Sequence, residues 1–159
     1  MNPIKKILAP TDLSDLSQSG VRYALELARA LGAEVVVYYV VCLDEFIRYE
    51  LLHLRPVLLD NVLEKYRLQV GNFLKSAFAD LLPLVEPRIL VELGNPDEDI
   101  VAKANREGMD LIVISTHGRT GLSHMFTGSV TENVVRHASC PVLSIRPESG
   151  ERQRIEAAA

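Results

Sequence analysis

Strand signals alternate with helix signals five times along this 159-residue chain, and the alternation predicts an α/β fold with a parallel sheet covered by helices on both faces. Two further observations agree. The run Leu111-Ile-Val-Ile114 after Asp110 is apolar at every position and rich in β-branched residues, as in a strand buried on both faces. A composition that is 48% hydrophobic supplies a full core for a chain of single-domain length. Right-handed crossovers then leave few topologies.

Ile4 to Ala9 is a short apolar run closed by Pro10-Thr-Asp-Leu-Ser14 and reads as the first strand. In the helix that follows, Val21, Ala24, Leu25, Ala28 and Leu31 share a face. A serine among Ser14, Ser17 and Ser19 caps its start, and Gly32 stops it. Ala33 to Val41, rich in valine and tyrosine, is the second strand. Residues 43–56 suit a short amphipathic helix ending at Pro56. A longer helix is expected from Leu58 to Leu82, carrying Val62, Tyr66, Val70, Phe73, Ala77 and Leu81 at spacings of three or four.

Pro83 and Pro87 bracket the connection into a third strand, Arg88 to Leu93. Gly94-Asn-Pro-Asp-Glu98 is a turn and helix start, with Pro96 early in the helix and three acidic residues favourable to its dipole. Ile100, Val101 and Ala104 are expected to face inward. The fourth strand is 111–115, a helix covers 129–138, and Pro141 opens the last strand, Val142 to Ile145. Residues 1–147 form the expected domain; 148–159, polar and then alanine-rich, read as a mobile tail.

A net charge of −4 and a pI near 5.6 argue against general nucleic-acid binding, so any anion site must be local. The apolar run at the N-terminus is too short for a signal peptide, and no stretch of about 18 apolar residues could span a membrane. The reading is cytoplasmic. Cys42 and Cys140 fall at opposite ends of a parallel sheet and are expected to be unpaired.

Chemistry concentrates between Leu111 and Thr131. A strand leads into a loop containing Gly118, Gly121 and Gly128, which leave room for a ligand against the backbone. The helix opening at Ser129-Val-Thr-Glu132 would point free N–H groups at that loop, a favourable place for phosphate. Two alternatives stay open. Ser129 and Glu132 are spaced as a capping box, which would satisfy those donors without a ligand. Arg119 could neutralise phosphate or stand solvated in the loop. Asp12, at a strand end, suits either a ribose hydroxyl or a helix-entry cap.

Known catalytic patterns are missing. The first strand-helix turn lacks Gly-x-Gly-x-x-Gly, no Walker lysine follows a glycine, and there is no Gly-x-Ser-x-Gly elbow. No catalytic residue is assigned, and any hydrolysis of a bound phosphate ester is expected to be slow at most. The histidines at 53, 117, 124 and 137 have no paired ligand spacing, so no protein-only metal site is expected.

Ser115-Thr-His-Gly118, nine residues, then Gly128-Ser129, resembles the nucleotide loop of the universal stress protein family. Its pattern is Gly, two residues, Gly, nine residues, Gly and Ser or Thr. Ile7-Leu-Ala-Pro-Thr-Asp12 and Ser139-Cys-Pro-Val-Leu-Ser-Ile145 agree, so the resemblance covers roughly residues 4–146. One position departs: Ser115 stands where the pattern begins with glycine. The resemblance implies a Rossmann-like sheet of order 3-2-1-4-5, whose switch-point crevice lies between strands 1 and 4. It also implies ATP there, with Pro10, Thr11, Asp12 and Val40 beside the nucleoside. Ser115, Gly118, Arg119, Gly128, Ser129, Val130 and Thr131 would surround the phosphates. A divalent ion such as Mg2+ could arrive with ATP, held by phosphate oxygens.

Two functions of different class follow. One is a stress-response regulator that binds ATP and acts through an unidentified protein partner. The other is an interaction module that keeps the fold and binds no nucleotide. With this strand order Val142 to Ile145 is an apolar edge, which a homodimer paired through it would cover, as the resemblance also implies. Ser115 is expected to strain the backbone if its φ is positive, or otherwise to crowd the nucleotide, so that Ser115→Gly tightens ATP binding about tenfold.

Overall fold

The computed structural model describes residues 3–43, 47, 59–116 and 129–146. Its sheet contains β1 (Lys6–Pro10), β2 (Glu34–Cys42), β3 (Arg88–Gly94), β4 (Leu111–Ser115) and β5 (Val142–Ile145). All neighbours are parallel, in the order β3-β2-β1-β4-β5. Helices α1 (Gln18–Leu31), α2 (Leu59–Ala77), α3 (Pro96–Glu107) and α4 (Ser129–His137) alternate with the strands. The α/β class and strand order expected above are therefore those of the molecule.

Period-two alternation divides the core into two layers. Ile7, Ala9, Val35, Val37, Tyr39, Val41, Leu111 and Val113 pack with α1 and α2. Leu8, Val36, Tyr38, Val40, Ile112 and Ile114 pack on the opposite face with Ile100 and Ala104 of α3 and Val134 of α4. Strands buried on both faces need apolar residues at nearly every position, which is why their sequences are so legible.

Several boundaries move. β1 begins two residues later than expected and takes in Pro10; β2 and β3 each run one residue further, to Cys42 and Gly94. The long helix ends at Ala77, five residues early. Phe78 and Leu81 turn inward to near-complete burial, and Pro83 disfavours helical backbone at the residue before it. Gly32 and Gly108 end α1 and α3 in the left-handed conformation, at φ 65° and 60°. Asn95 caps α3 by accepting from the Asp97 N–H at 3.2 Å.

Among the described residues, neither Cys42 nor Cys140 is in a disulfide. Apart from Leu43 and Ile47, the helix expected over 43–56 lies outside the described residues, as does the tail 148–159. Among the described residues, no helix is long and apolar enough to cross a membrane.

Candidate functional site at the carboxyl ends of β1 and β4

β1 and β4 pair at Ile7–Leu111 and Leu8–Ile112, and then the two strands follow different neighbours. β1 stays with β2: Pro10 lies opposite Tyr38, and the Thr11 N–H donates to the Tyr38 carbonyl at 3.0 Å. β4 stays with β5, with Ser115 opposite Ile145 and the Thr116 N–H donating to the Ile145 carbonyl at 2.9 Å. This parting makes a crevice at the switch point of the sheet, where α/β folds bind ligands.

On the β1 side the chain folds back on itself. Buried Thr11 places its hydroxyl 2.8 Å from Ser17 Oγ and accepts from the Leu13 N–H at 3.1 Å. Asp12 Oδ1 accepts from the Ser14 N–H at 3.0 Å and from Ser14 Oγ at 2.6 Å. Asp12 thereby closes a local turn just before the helical entry at Ser14. Leu13 between them has φ 64°, the only positive φ of a non-glycine residue in the described chain. A leucine held there carries strain of about 1–2 kcal/mol. Ser14 in turn caps the short 3-10 turn Asp15–Ser17.

On the β4 side, alternation sends Leu111, Val113 and Ser115 toward α1, and Ile112 and Ile114 toward α3 and α4. Ser115 is buried, and its hydroxyl accepts from the Gly20 N–H at 3.0 Å. Its single proton has two acceptors in reach, Ser19 Oγ at 3.1 Å and the Ser17 carbonyl at 3.4 Å. The Ser115 carbonyl accepts from Thr131 Oγ1 at 2.9 Å.

These contacts correct the expectation for Ser115. Its φ is not positive, so that source of strain is absent. Its side chain is directed at α1, on the opposite sheet face from Val40 and α4, and does not crowd that side of the crevice. Gly20 is the residue that sequence reasoning missed. A Cβ there would lie 2.8 Å from both the Ser115 nitrogen and its Oγ, so only glycine lets α1 approach this closely. A glycine in the first turn of an otherwise strong helix was the available signal.

Val40 is buried two residues past Tyr38, overhanging the end of β1 on the face it shares with half-buried Val130 and buried Val134. Thr131 is buried in the first turn of α4. Glu132 turns its carboxylate along the helix, accepting from Arg136 Nη2 at 2.7 Å and Nε at 3.1 Å. Pro10, Thr11, Asp12, Val40, Ser115, Val130 and Thr131 thus gather round the crevice. Gly118, Arg119, Gly128 and the side chain of Ser129 lie outside the described residues. So do three of the histidines; His137 places Nδ1 2.9 Å from the Asn133 carbonyl. Among the described residues, no three His, Cys, Asp or Glu side chains group as metal ligands would.

Opposite Val40 in the β2–β3 register is Glu92, part of a half-buried polar cluster that the sequence reading did not single out. Glu92 accepts from Lys103 Nζ at 2.5 Å and from the Tyr38 hydroxyl at 2.7 Å. Burial pushes the Tyr38 phenol well above its ordinary range, and the Glu92 carboxylate reinforces this. Burial acts to raise the pKa of Glu92, but the Lys103 and Tyr38 hydrogen bonds prevail and hold it below the ordinary value.

A universal stress protein family model matches residues 3–146. Universal stress protein MJ0531 of Methanocaldococcus jannaschii is 32% identical over 155 residues, covering 94% of this chain and 86% of that protein. Universal stress protein MJ0577 of the same organism is 28% identical over 153 residues, or 89% of this chain and 94% of that one. The solved structure of MJ0577 aligns with a TM-score of 0.70 at 30% identity, covering 93% of this chain and 99% of the other. A universal stress protein solved in complex with cAMP aligns at 0.61 and 22% identity over 91% and 98% of the two chains, a likeness of fold alone.

Proposed function

The chain belongs to the universal stress protein family, and we propose that it is a stress-response regulator that binds ATP in the crevice between β1 and β4. The observation that carries this reading is the parting of these strands beyond Leu8 and Ile112. Residues matching the family's nucleoside segment, Pro10, Thr11 and Asp12, stand on one side. The first turn of α4, following the glycine loop in sequence, stands on the other. Val40 supplies an apolar surface for adenine. The cAMP complex of a fold neighbour contributes only that this fold accommodates an adenine nucleotide.

Because the Thr11, Ser115 and Thr131 hydroxyls and Asp12 Oδ1 have partners within the protein, their main work is to hold the crevice in shape. The phosphates would be met by backbone N–H groups of the loop at Gly118 and Gly128 and of the helix start at Ser129 and Val130, with Arg119 adding charge. Any Mg2+ would arrive with ATP and be held by its phosphate oxygens. No general base is assigned, so the nucleotide acts as a ligand that shifts conformation or partner choice, with slow turnover at most. We further propose a cytoplasmic homodimer joined through Val142–Ile145, a folded unit of residues 1–147 with a tail at 148–159, and a regulatory protein partner.

Titration calorimetry should show saturable ATP binding, and Gly118→Val should abolish it while leaving the circular dichroism spectrum unchanged. Folded protein that gives neither heat nor saturation with millimolar ATP overturns the reading. The internal satisfaction of the crevice side chains favours one second reading, an interaction module without nucleotide. Mass spectrometry of gently purified protein separates the two: a co-purified adenine nucleotide supports the first, while its absence together with a flat titration supports the second.

A further inference from the structure

Helix α1 starts without a side-chain cap of its own. Ser17 occupies the N-cap position, but its side chain makes no capping hydrogen bond to the helix. Its hydroxyl is instead bonded to the Ser14 carbonyl at 2.8 Å and lies 2.8 Å from Thr11 Oγ1. The N–H of Gly20, the third residue of the helix, is one of the donors that a cap normally satisfies. Ser115 Oγ, 95 residues away in sequence, accepts it at 3.0 Å. The serine that replaces the family's glycine therefore caps α1 from β4.

The same residue reaches the other wall. Among the described residues, the buried polar side chains other than tyrosine are Thr11, Ser17, Lys103, Ser115 and Thr131, and the four with hydroxyls lie along one path. It runs from the Leu13 N–H to Thr11 Oγ1 and on to Ser17 Oγ, from the Ser17 carbonyl to Ser115 Oγ at 3.4 Å, with Ser19 Oγ nearer at 3.1 Å, and from the Ser115 carbonyl to Thr131 in α4. A buried donor or acceptor that loses its partner carries the full desolvation penalty, so one displacement is felt by the next member.

We propose that Ser115 is a positioning residue that caps α1 from β4 and, through its carbonyl and Thr131, joins α1 to α4 so that the two walls of the crevice move as a unit. The consequence for ligand binding rests on the nucleotide reading above; the mechanical coupling does not. In this arrangement Ser115→Gly weakens ATP binding, the reverse of the effect that crowding would produce. Glycine removes the cap and loosens the strand exit, and it frees no space on the Val40 face.

Amide hydrogen exchange on the full chain without nucleotide tests the coupling, with global stability measured alongside by urea unfolding. Ser115→Ala is expected to accelerate exchange about tenfold both at Gly20 and in the first exchangeable amides of α4, beyond any global change. Thr131→Val should accelerate exchange at Gly20 although Ser115 is intact. Acceleration confined to α1 in the first variant, or Gly20 unaffected in the second, overturns the coupling and leaves a simple cap. In parallel ATP titrations, Ser115→Ala and Ser115→Gly should each bind about tenfold more weakly than the parent; tighter binding by Ser115→Gly overturns the positioning role. A parent protein that binds no ATP refutes the proposed function, and the exchange results still decide the coupling.

Discussion

Gly20 and Ser115 are a matched pair, in which a missing side chain on the helix makes room for one on the strand. The ideal Cβ at Gly20 would meet the Ser115 backbone nitrogen, which cannot swing aside as a flexible side chain can. Gly20→Ala therefore sets a helix-propensity gain of about 1 kcal/mol against overpacking of about 1–3 kcal/mol. Overpacking is expected to win, because the contact is with backbone at the exit of a central strand. Urea unfolding should show a lower midpoint with an unchanged slope; a raised midpoint would mean that α1 can slide away from β4 at little cost. Leu13 shows the same local economy, since its left-handed backbone is held by hydrogen bonds of Thr11 and Asp12 on either side.

Helix α3 is fastened to the β2–β3 edge by charge as well as by Ile100 and Ala104. Lys103 bridges Glu92 at 2.5 Å and Glu107 at 3.6 Å, Arg106 lies 3.7 Å from Glu92, and Arg88 joins Glu107 to Glu34. The hydrogen bond from Arg88 holds the Glu107 carboxyl below its ordinary value of 4.5, and Glu92 is lowered likewise despite burial. A carboxylate with a depressed folded-state pKa stabilises the fold above its unfolded value, and that contribution is lost as pH falls through the folded one. Stability should thus decline as pH drops below about 4.5 and level off once pH has passed the depressed folded-state values. Glu92→Gln should flatten this part of the profile in urea unfolding followed from neutral to acid pH. An unchanged acid limb would place the loss elsewhere, for example at Asp110, whose carboxylate accepts from the Lys5 and Lys6 N–H groups.

Over the whole molecule, the two sheet edges differ in character. β3 carries Arg88 and Glu92 within the ion network, whereas β5 offers Val142, Leu143 and Ile145 only half-buried by their own chain. An apolar edge invites a second strand, and this five-stranded sheet is open, so the edge remains to be covered. Leu143→Lys should convert the proposed dimer to a monomer, read by light scattering at micromolar concentration. A parent protein that is already monomeric, or a dimer that survives the lysine, counts against this interface. Val142 packs on the α3 and α4 layer and Leu143 on the α1 layer, so the strand is tied to both walls of the crevice.

Sheet class, two-sided burial and the position of nearly every element could be read from the chain alone, because apolar runs such as Leu111–Ile114 and the face Val21, Ala24, Leu25 and Ala28 encode local periodicity. The stop signal at Gly32 and the start signal in Gly94-Asn-Pro96 were equally local. The family resemblance added strand order and the choice of crevice. The direction of Ser115, by contrast, depends on which face of β4 meets α1, and on the removal of one Cβ at Gly20, 95 residues earlier. Alternation from Leu111 and Val113 placed Ser115 on one of the two faces. Only tertiary structure decided that this face holds an uncapped helix start and not the surface that carries Val40. The ion network around Glu92 was hidden for the same reason: its members are scattered from Glu34 to Glu107, and their attraction exists only once β2, β3 and α3 have packed.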